Sequence, residues 1–187
     1  MKKKVVKIGI VGCGRVFNHY MKIFNKRKKK DFKIIAICDK NRNLVSKVSK
    51  ILKCEAFTNY SLMLKNYKKK LDLIIILTPS GLHFKHSVLA LKNKFDVLCE
   101  KPATMLPKDA LKLNDLAKKN KVMFGIAFQN RFNKSVVALK KLYENGRFGK
   151  ILIVNVRLLW SRDQEYYNDQ WHGKWKMDGG VTNQQAI

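Results

Sequence analysis

Val5 to Val11 form a run of mostly branched apolar side chains that stops at a glycine pair, Gly12 and Gly14, and resumes from Arg15 as a helical pattern through Tyr20. That order reads as strand, tight turn, helix. It constrains the chain more than any other stretch. Such a turn aims unpaired backbone N–H groups and the positive end of a helix dipole at one spot, which suits a pyrophosphate. Gly12 can take the angles a tight turn needs, and Gly14 lacks a side chain that would block a close phosphate. The third glycine of G-x-G-x-x-G is replaced by Phe17. By itself the turn is equally compatible with a plain strand-to-helix connection, so its context decides.

The rest of the chain repeats the same grammar. The first helix is expected over residues 15 to 28. A second strand, Phe32 to Cys38, ends at Asp39, which follows Gly12 by 27 positions. A carboxylate at about that spacing reaches an adenosine ribose and repels a 2′-phosphate, which favours NAD over NADP; alternatively, Asp39 or Asn41 caps a helix at about Asn43 to Leu52. Tyr60 to Tyr67 reads as a short helix, and Leu71 to Leu77 as a strand covered on both faces. It ends in the turn Thr78-Pro79-Ser80-Gly81. Helices follow at Leu82 to Leu91 and Pro107 to Lys119, the second opening with proline, and strands at Phe95 to Cys99 and Val122 to Phe128. Alternation at this rhythm implies right-handed crossovers and an open, doubly wound parallel sheet with its ligand edge at the strand C-termini. Beyond that sheet come a helix at Lys134 to Glu144, a β-like run at Lys150 to Trp160, and a polar aromatic stretch without periodicity, Ser161 to Met177.

Composition narrows the function classes. The 187 residues carry a formal net charge of +27, which raises nucleic acid as a partner. The lysine clusters at Lys26 to Lys30, Lys68 to Lys70 and Lys118 to Lys121 fall near helix ends, where the dipole favours cations. No recognisable RNA or DNA motif accompanies them, so a solvated basic face is the reading preferred over a specific nucleic-acid partner. No apolar run approaches the roughly 20 residues that span a bilayer, and no export signal is read. Cys13, Cys38, Cys54 and Cys99 form no C-x-x-C pair; small buried thiols in a reducing cytoplasm fit better than a metal site or disulfides.

Several turns together resemble the Gfo/Idh/MocA family of NAD(P)-dependent oxidoreductases: Gly12-x-Gly14-Arg15, Thr78-Pro79-Ser80-x-x-His83, Glu100-Lys101-Pro102, Asn130-Arg131-Phe132, Gly146-x-x-Gly149 and Asp178-Gly179-Gly180. Trp160-Ser161-Arg162, the run Tyr166 to Trp171 and Gly173-Lys174-Trp175 resemble the branch that oxidises UDP-linked N-acetylamino-sugar uronates at C3 for surface polysaccharides. The resemblance implies an α/β Rossmann domain over residues 1–124, followed at 125–187 by the start of an incomplete α+β (mixed-sheet) domain for substrate and oligomer contacts. It implies hydride transfer between a sugar carbon and NAD, with Lys101 as the catalytic residue near the reacting hydroxyl, a proton carrier or hydrogen-bond donor; a lysine can serve because burial or a neighbouring cation lowers its pKa. Gly12, Gly14, Arg15, Asp39, Thr78 and Ser80 would bind the cofactor, with Glu100, Lys101 and Gln129. His83 would shape the nicotinamide pocket or make a structural hydrogen bond. His86 is expected at the surface, and His19 receives no chemistry. Lys101, Asn130, Arg131, Arg162, Tyr167 and Trp175 would meet a nucleotide-sugar substrate, with ordinary packing as the alternative for the last two. Pro102 would follow a cis bond.

Two departures from the family pattern qualify this. Phe17 stands where helix and strand pack closely, and the family's H-x-x-D segment after D-G-G is not reached before Ile187. The chain is therefore expected to be a fragment of a homo-oligomeric enzyme, without full activity. A non-catalytic NAD-binding Rossmann protein is the alternative, and a basic nucleic-acid binder a lesser one.

Overall fold

Strands that are apolar at every position need cover on both faces, and the alternation within one of them shows how it is provided. Ile74 and Ile76 pack into one buried cluster with Met63, Leu64, Leu91 and Leu113. Their neighbours Ile75 and Leu77 point into another, with Ile8, Ile10, Phe17 and Val45. The computed structural model describes residues 5–26, 31–68, 70–169 and 171–185. Met1 to Lys4, Arg27 to Lys30, Lys69, Gln170, Ala186 and Ile187, parts of which figure in the expectations above, lie outside the described residues.

The elements run β1 (Val6–Val11), α1 (Arg15–Lys26), β2 (Phe32–Cys38), α2 (Arg42–Leu52), β3 (Glu55–Phe57), α3 (Tyr60–Asn66), β4 (Leu73–Ile76), α4 (Ser80–Lys92), β5 (Asp96–Glu100), α5 (Pro107–Asn120) and β6 (Phe124–Ala127). The six strands form one sheet in the order β3-β2-β1-β4-β5-β6, and every pairing is parallel. Helices cover both faces, so the α/β doubly wound sheet expected from the alternation is the fold. Strand order reverses between β1 and β4, the switch point at whose C-terminal ends open α/β sheets bind ligands.

Asn41 and Asn59 cap α2 and α3, each side chain accepting an N–H three residues on at 3.0 Å. The remaining differences have local causes. The strand β3 escaped the sequence pattern because three residues carry no period. The helix α4 begins at Ser80 rather than Leu82, since a proline immediately before a helix costs no intrahelical bond. A 3-10 turn, Gln129–Phe132, leads from β6 into α6 (Lys134–Glu144). The β-like run at 150–160 is not a strand: it lies exposed, and a β-propensity run acquires strand geometry only with a hydrogen-bonding partner, which it lacks among the described residues. After it come α7 (Gln164–Tyr167) and α8 (Gly180–Gln184). Among the described residues no helix is long and apolar enough to cross a membrane.

Candidate active site

The glycine turn closes the end of β1 against the ends of its two neighbours. Gly12 donates its N–H to Cys38 O at 2.8 Å, and Leu77 donates to Val11 O at 2.8 Å. Gly12 has φ +96°, and a β-carbon there would lie 2.6 Å from the carbonyl carbon and oxygen of Leu77. The residue is thus required by the close approach of two backbones as well as by its angles. A β-carbon at Gly14 would meet nothing within 4 Å, and α1 begins beside it with no acidic residue in its first turn. An open space before a helix whose own first turn carries no acidic residue fits a dinucleotide's pyrophosphate. Phe17 is buried with Ile8, Ile10 and Cys13 in the core beneath α1.

Asp39, at the tip of β2, reaches across to this turn. Its Oδ2 accepts the Cys13 N–H at 2.8 Å and its Oδ1 the Asn41 N–H at 2.9 Å. Helix capping falls to Asn41 instead, which leaves Asp39 as the carboxylate beside the glycine turn. Burial, then the Asp39 charge, pushes the Cys13 thiol up to about 12; it stays protonated and is no nucleophile. All four cysteines are free, and three are buried. No cluster of three His, Cys, Asp or Glu among the described residues could hold a metal ion.

The tips of β4 and β5 are tied together by a histidine. His83 is 1% exposed; its Nδ1 lies 2.6 Å from Pro102 O and its Nε2 2.6 Å from Thr78 O. Burial pushes its pKa down and the two carbonyls oppose that shift. As a neutral ring it carries one N–H and donates to one carbonyl at a time. His86 is not the surface residue expected. It is half-buried, its Nδ1 3.0 Å from Thr78 Oγ1 and its ring edge-on to Tyr60, because α4 turns this face toward the core. Burial lowers its pKa to about 4. His19 is exposed.

Glu100 and Lys101 stand at the end of β5, and the Lys101–Pro102 bond is cis. Glu100 Oε1 accepts the Tyr20 hydroxyl at 2.8 Å, and Oε2 the Lys101 N–H at 3.1 Å. Lys101 Nζ donates to Gln184 O. Burial moves the ammonium below the usual lysine range, opposed by the carboxylates of Glu100 and Asp178. Burial of this kind lessens the cost of the neutral amine relative to the ammonium.

Residues 171–185 lie against the start of α4. Gly81 donates its N–H to Met177 O at 3.0 Å, and Gln184 Nε2 donates to the buried Ser80 Oγ at 2.7 Å. Arg15 pairs with Asp169 at 3.6 Å and lies over the Tyr166 ring at 5.0 Å. Arg162 stacks over Trp160 at 4.2 Å and Tyr166 at 5.2 Å. Tyr167 and Trp175 are exposed. Gln129, Asn130 and Arg131 are exposed on the 3-10 turn, where Asn130 meets Asn133 and Arg131 covers Phe128. The structure thus gathers Gly12, Gly14, Asp39, Thr78, Ser80, His83, Glu100 and Lys101 on one sheet edge, with the contacts of 129–131 remaining local. Sequence reasoning missed Tyr20, Gly81, Asp178 and Gln184. The D-G-G motif drew the eye to Asp178, but no sequence signal assigned it a contact.

A parallel sheet of this order with a glycine turn, an acidic residue at the tip of β2 and a half-buried lysine just past β5 is a dinucleotide-binding type of α/β fold. Residues 6–128 match the model of the oxidoreductase family with an NAD-binding Rossmann fold, Gfo/Idh/MocA, and the chain belongs to that family. The crystal structure of the WlbA dehydrogenase from Chromobacterium violaceum, in complex with NADH and UDP-GlcNAcA, is 31% identical with a TM-score of 0.93, over all of this chain and 53% of the other. The Bordetella pertussis WlbA dehydrogenase, with the same two molecules, is 30% identical over all of this chain and 53% of its own, with a TM-score of 0.93. The D-glucoside 3-dehydrogenase of Escherichia coli is 25% identical over 85% of this chain and 45% of that protein. This chain therefore spans about half the length of the relatives it matches.

Proposed function

We propose that the chain is the NAD-binding and lysine-bearing part of a dehydrogenase that oxidises C3 of a UDP-linked N-acetylamino-sugar uronate. The observation that carries this reading is Lys101: half-buried, its ammonium on Gln184 O and its backbone beside a Glu100 clamped by Tyr20, at the edge where the glycine turn opens. The likeness to two dehydrogenases crystallised with UDP-GlcNAcA supports the sugar assignment. Gly12, Gly14 and the start of α1 would hold the pyrophosphate, and Asp39 the adenosine ribose of NAD. The bound nicotinamide supplies the hydride acceptor. In its neutral amine form, which burial favours, Lys101 Nζ would take the proton of the reacting hydroxyl while the hydride passes from the same carbon to the nicotinamide. Tyr20 keeps the Glu100 carboxylate oriented, and residues 171–185 shield the lysine from water. Arg162 and the rings around it present a cation and flat faces suited to a nucleotide sugar.

The four free thiols support a reducing cytoplasm as the site of this work, in surface-polysaccharide synthesis. Exposed apolar side chains on α6 and 150–160, Leu139, Ile153 and Leu159 among them, support a homo-oligomer. Fluorescence titration with NADH, followed by calorimetry with UDP-GlcNAcA and UDP-glucose, tests the reading. Saturable NADH binding and at least tenfold preference for the uronate are expected. No saturable response at millimolar NADH would refute the assignment.

A further inference from the structure

The N-terminal ends of the six parallel strands lie on the edge of the sheet away from the glycine turn, and lysine collects there. Among the described residues, every non-glycine residue with positive φ is a lysine: Lys53, Lys94 and Lys121, at φ +54°, +61° and +56°. Each stands between the end of a helix, α2, α4 or α5, and the strand that follows, where glycine would be free of strain. Lys7 and Lys33 are register partners on β1 and β2, and Lys70 precedes β4. All six are exposed. Helix dipoles favour cations at helix ends, but they do not account for two like charges side by side at strand starts, which repel.

Asp31, Glu55, Asp72 and Asp96 are the carboxylates of this edge, and three of them brace the fold. Asp72 accepts the Lys7 N–H and Asp96 the Met123 N–H, both at 2.8 Å, and Glu55 accepts the Tyr67 hydroxyl at 2.6 Å. With neighbouring strands about 4.8 Å apart, the edge is roughly 24 Å wide. Exposed apolar side chains stand among the cations: Ile51, in the last turn of α2, is 68% exposed and Met123, just before β6, is 72% exposed. Point charges on flexible stems, interspersed with apolar tips, suit anionic headgroups and the acyl boundary beneath them. Nucleic acids are met instead by guanidinium forks and stacked aromatic rings, whereas the six cations here are all lysine. We propose that this edge is a docking surface for an anionic lipid bilayer, with the ammonium groups on the headgroups and Ile51 and Met123 dipping between them. The chain then lies on the membrane without crossing it, and the cofactor edge, at the opposite ends of the same strands, faces solution.

Co-sedimentation with phosphatidylcholine vesicles, alone or with about one-third phosphatidylglycerol, tests this. The wild-type chain is expected to sediment with the anionic vesicles only, and less as salt is raised. Each lysine near an anionic leaflet contributes about fivefold to partitioning. Lys53→Gly, Lys94→Gly and Lys121→Gly together should therefore weaken binding at least tenfold, with the thermal midpoint not lowered because glycine suits each φ. Lys40→Gln, Lys108→Gln and Lys134→Gln remove equal charge from exposed positions outside this edge, and should weaken binding less than about threefold. Ile51→Gln with Met123→Gln should weaken vesicle binding about threefold or more and leave retention on double-stranded DNA unchanged. Failure of the wild type to bind anionic vesicles, equal losses in the two lysine triples, or no loss in the apolar pair would each overturn the proposal. Double-stranded DNA that strips the wild type from the vesicles at equal phosphate concentration would assign the edge to nucleic acid and overturn it as well.

Discussion

Gly81 carries a prediction that separates the sheet from the segment laid across it. Its β-carbon, if present, would sit 2.8 Å from Met177 Sδ and 2.9 Å from Met177 Cα, and closer still to the carbonyl oxygen of Lys176. Alanine is the better helix former, by up to about 1 kcal/mol in a helix interior and less in a first turn. Overpacking typically costs about 1–3 kcal/mol, and although Met177 Sδ can rotate away, the Lys176 carbonyl and Met177 Cα are main-chain atoms that cannot. Gly81→Ala should therefore leave α4 intact and weaken the docking of residues 171–185 by about 1–3 kcal/mol, a factor of roughly 5 to 140 in the docked population. Lys174 and Lys176 are exposed, so trypsin cleavage after them reports the opened population when reclosing is fast. The expected result is faster cleavage at these two lysines by about that factor, with the thermal midpoint of the sheet domain unchanged or raised. Gly125→Ala is the control: its β-carbon would lie 3.6 Å from Leu98 Cδ1, an ordinary contact, and cleavage should not change. If Gly81→Ala is cut no faster than wild type, the segment is not held by its fit against that glycine.

Gly12→Ala combines a positive φ with a β-carbon 2.6 Å from the Leu77 carbonyl, and should destabilise the domain by about 2–4 kcal/mol, read as a lower urea midpoint with unchanged slope. Asp39→Ala should raise the Kd for NADH at least tenfold and narrow the preference for NADH over NADPH; equal NADH titrations for variant and wild type would remove Asp39 from the ribose site. His86 titrates near 4 in the folded chain against an ordinary value of 6.5, so folding favours its neutral form. That contribution is complete above pH 6.5 and is lost as pH falls toward 4, with a full span of about 3 kcal/mol. His86→Gln should flatten the pH dependence of urea stability across that window, and parallel curves for the two proteins would show that His86 contributes none of it.

Much of the fold was legible because its signal is local. The branched runs at residues 6–11, 32–38 and 71–77, the asparagine before α2 and the proline opening α5 each state their structure within a few residues, and the alternation of runs implies an open parallel sheet. The glycine turn and Asp39 could be singled out in the same way, since each ends a strand and parallel crossovers bring strand ends to one edge, whereas Lys101, by its residue alone an ordinary turn lysine, was singled out only by the resemblance of Glu100-Lys101-Pro102 to the family motif. The partners of these residues were decided only by the folded chain. Tyr20 meets Glu100 across 80 positions and Gln184 meets Ser80 across 104, and no periodicity encodes contacts made by loop closure over such separations. The run at 150–160 shows the same limit from the other side: its sequence favours a strand, but strand geometry needs a neighbour to complete its hydrogen bonds. Sequence alone determined which residues stand at the strand ends, because side-chain pattern dictates local conformation. Tertiary structure decided which of them touch and how deeply Lys101 and His86 are buried, because burial and pairing depend on elements far apart in the chain.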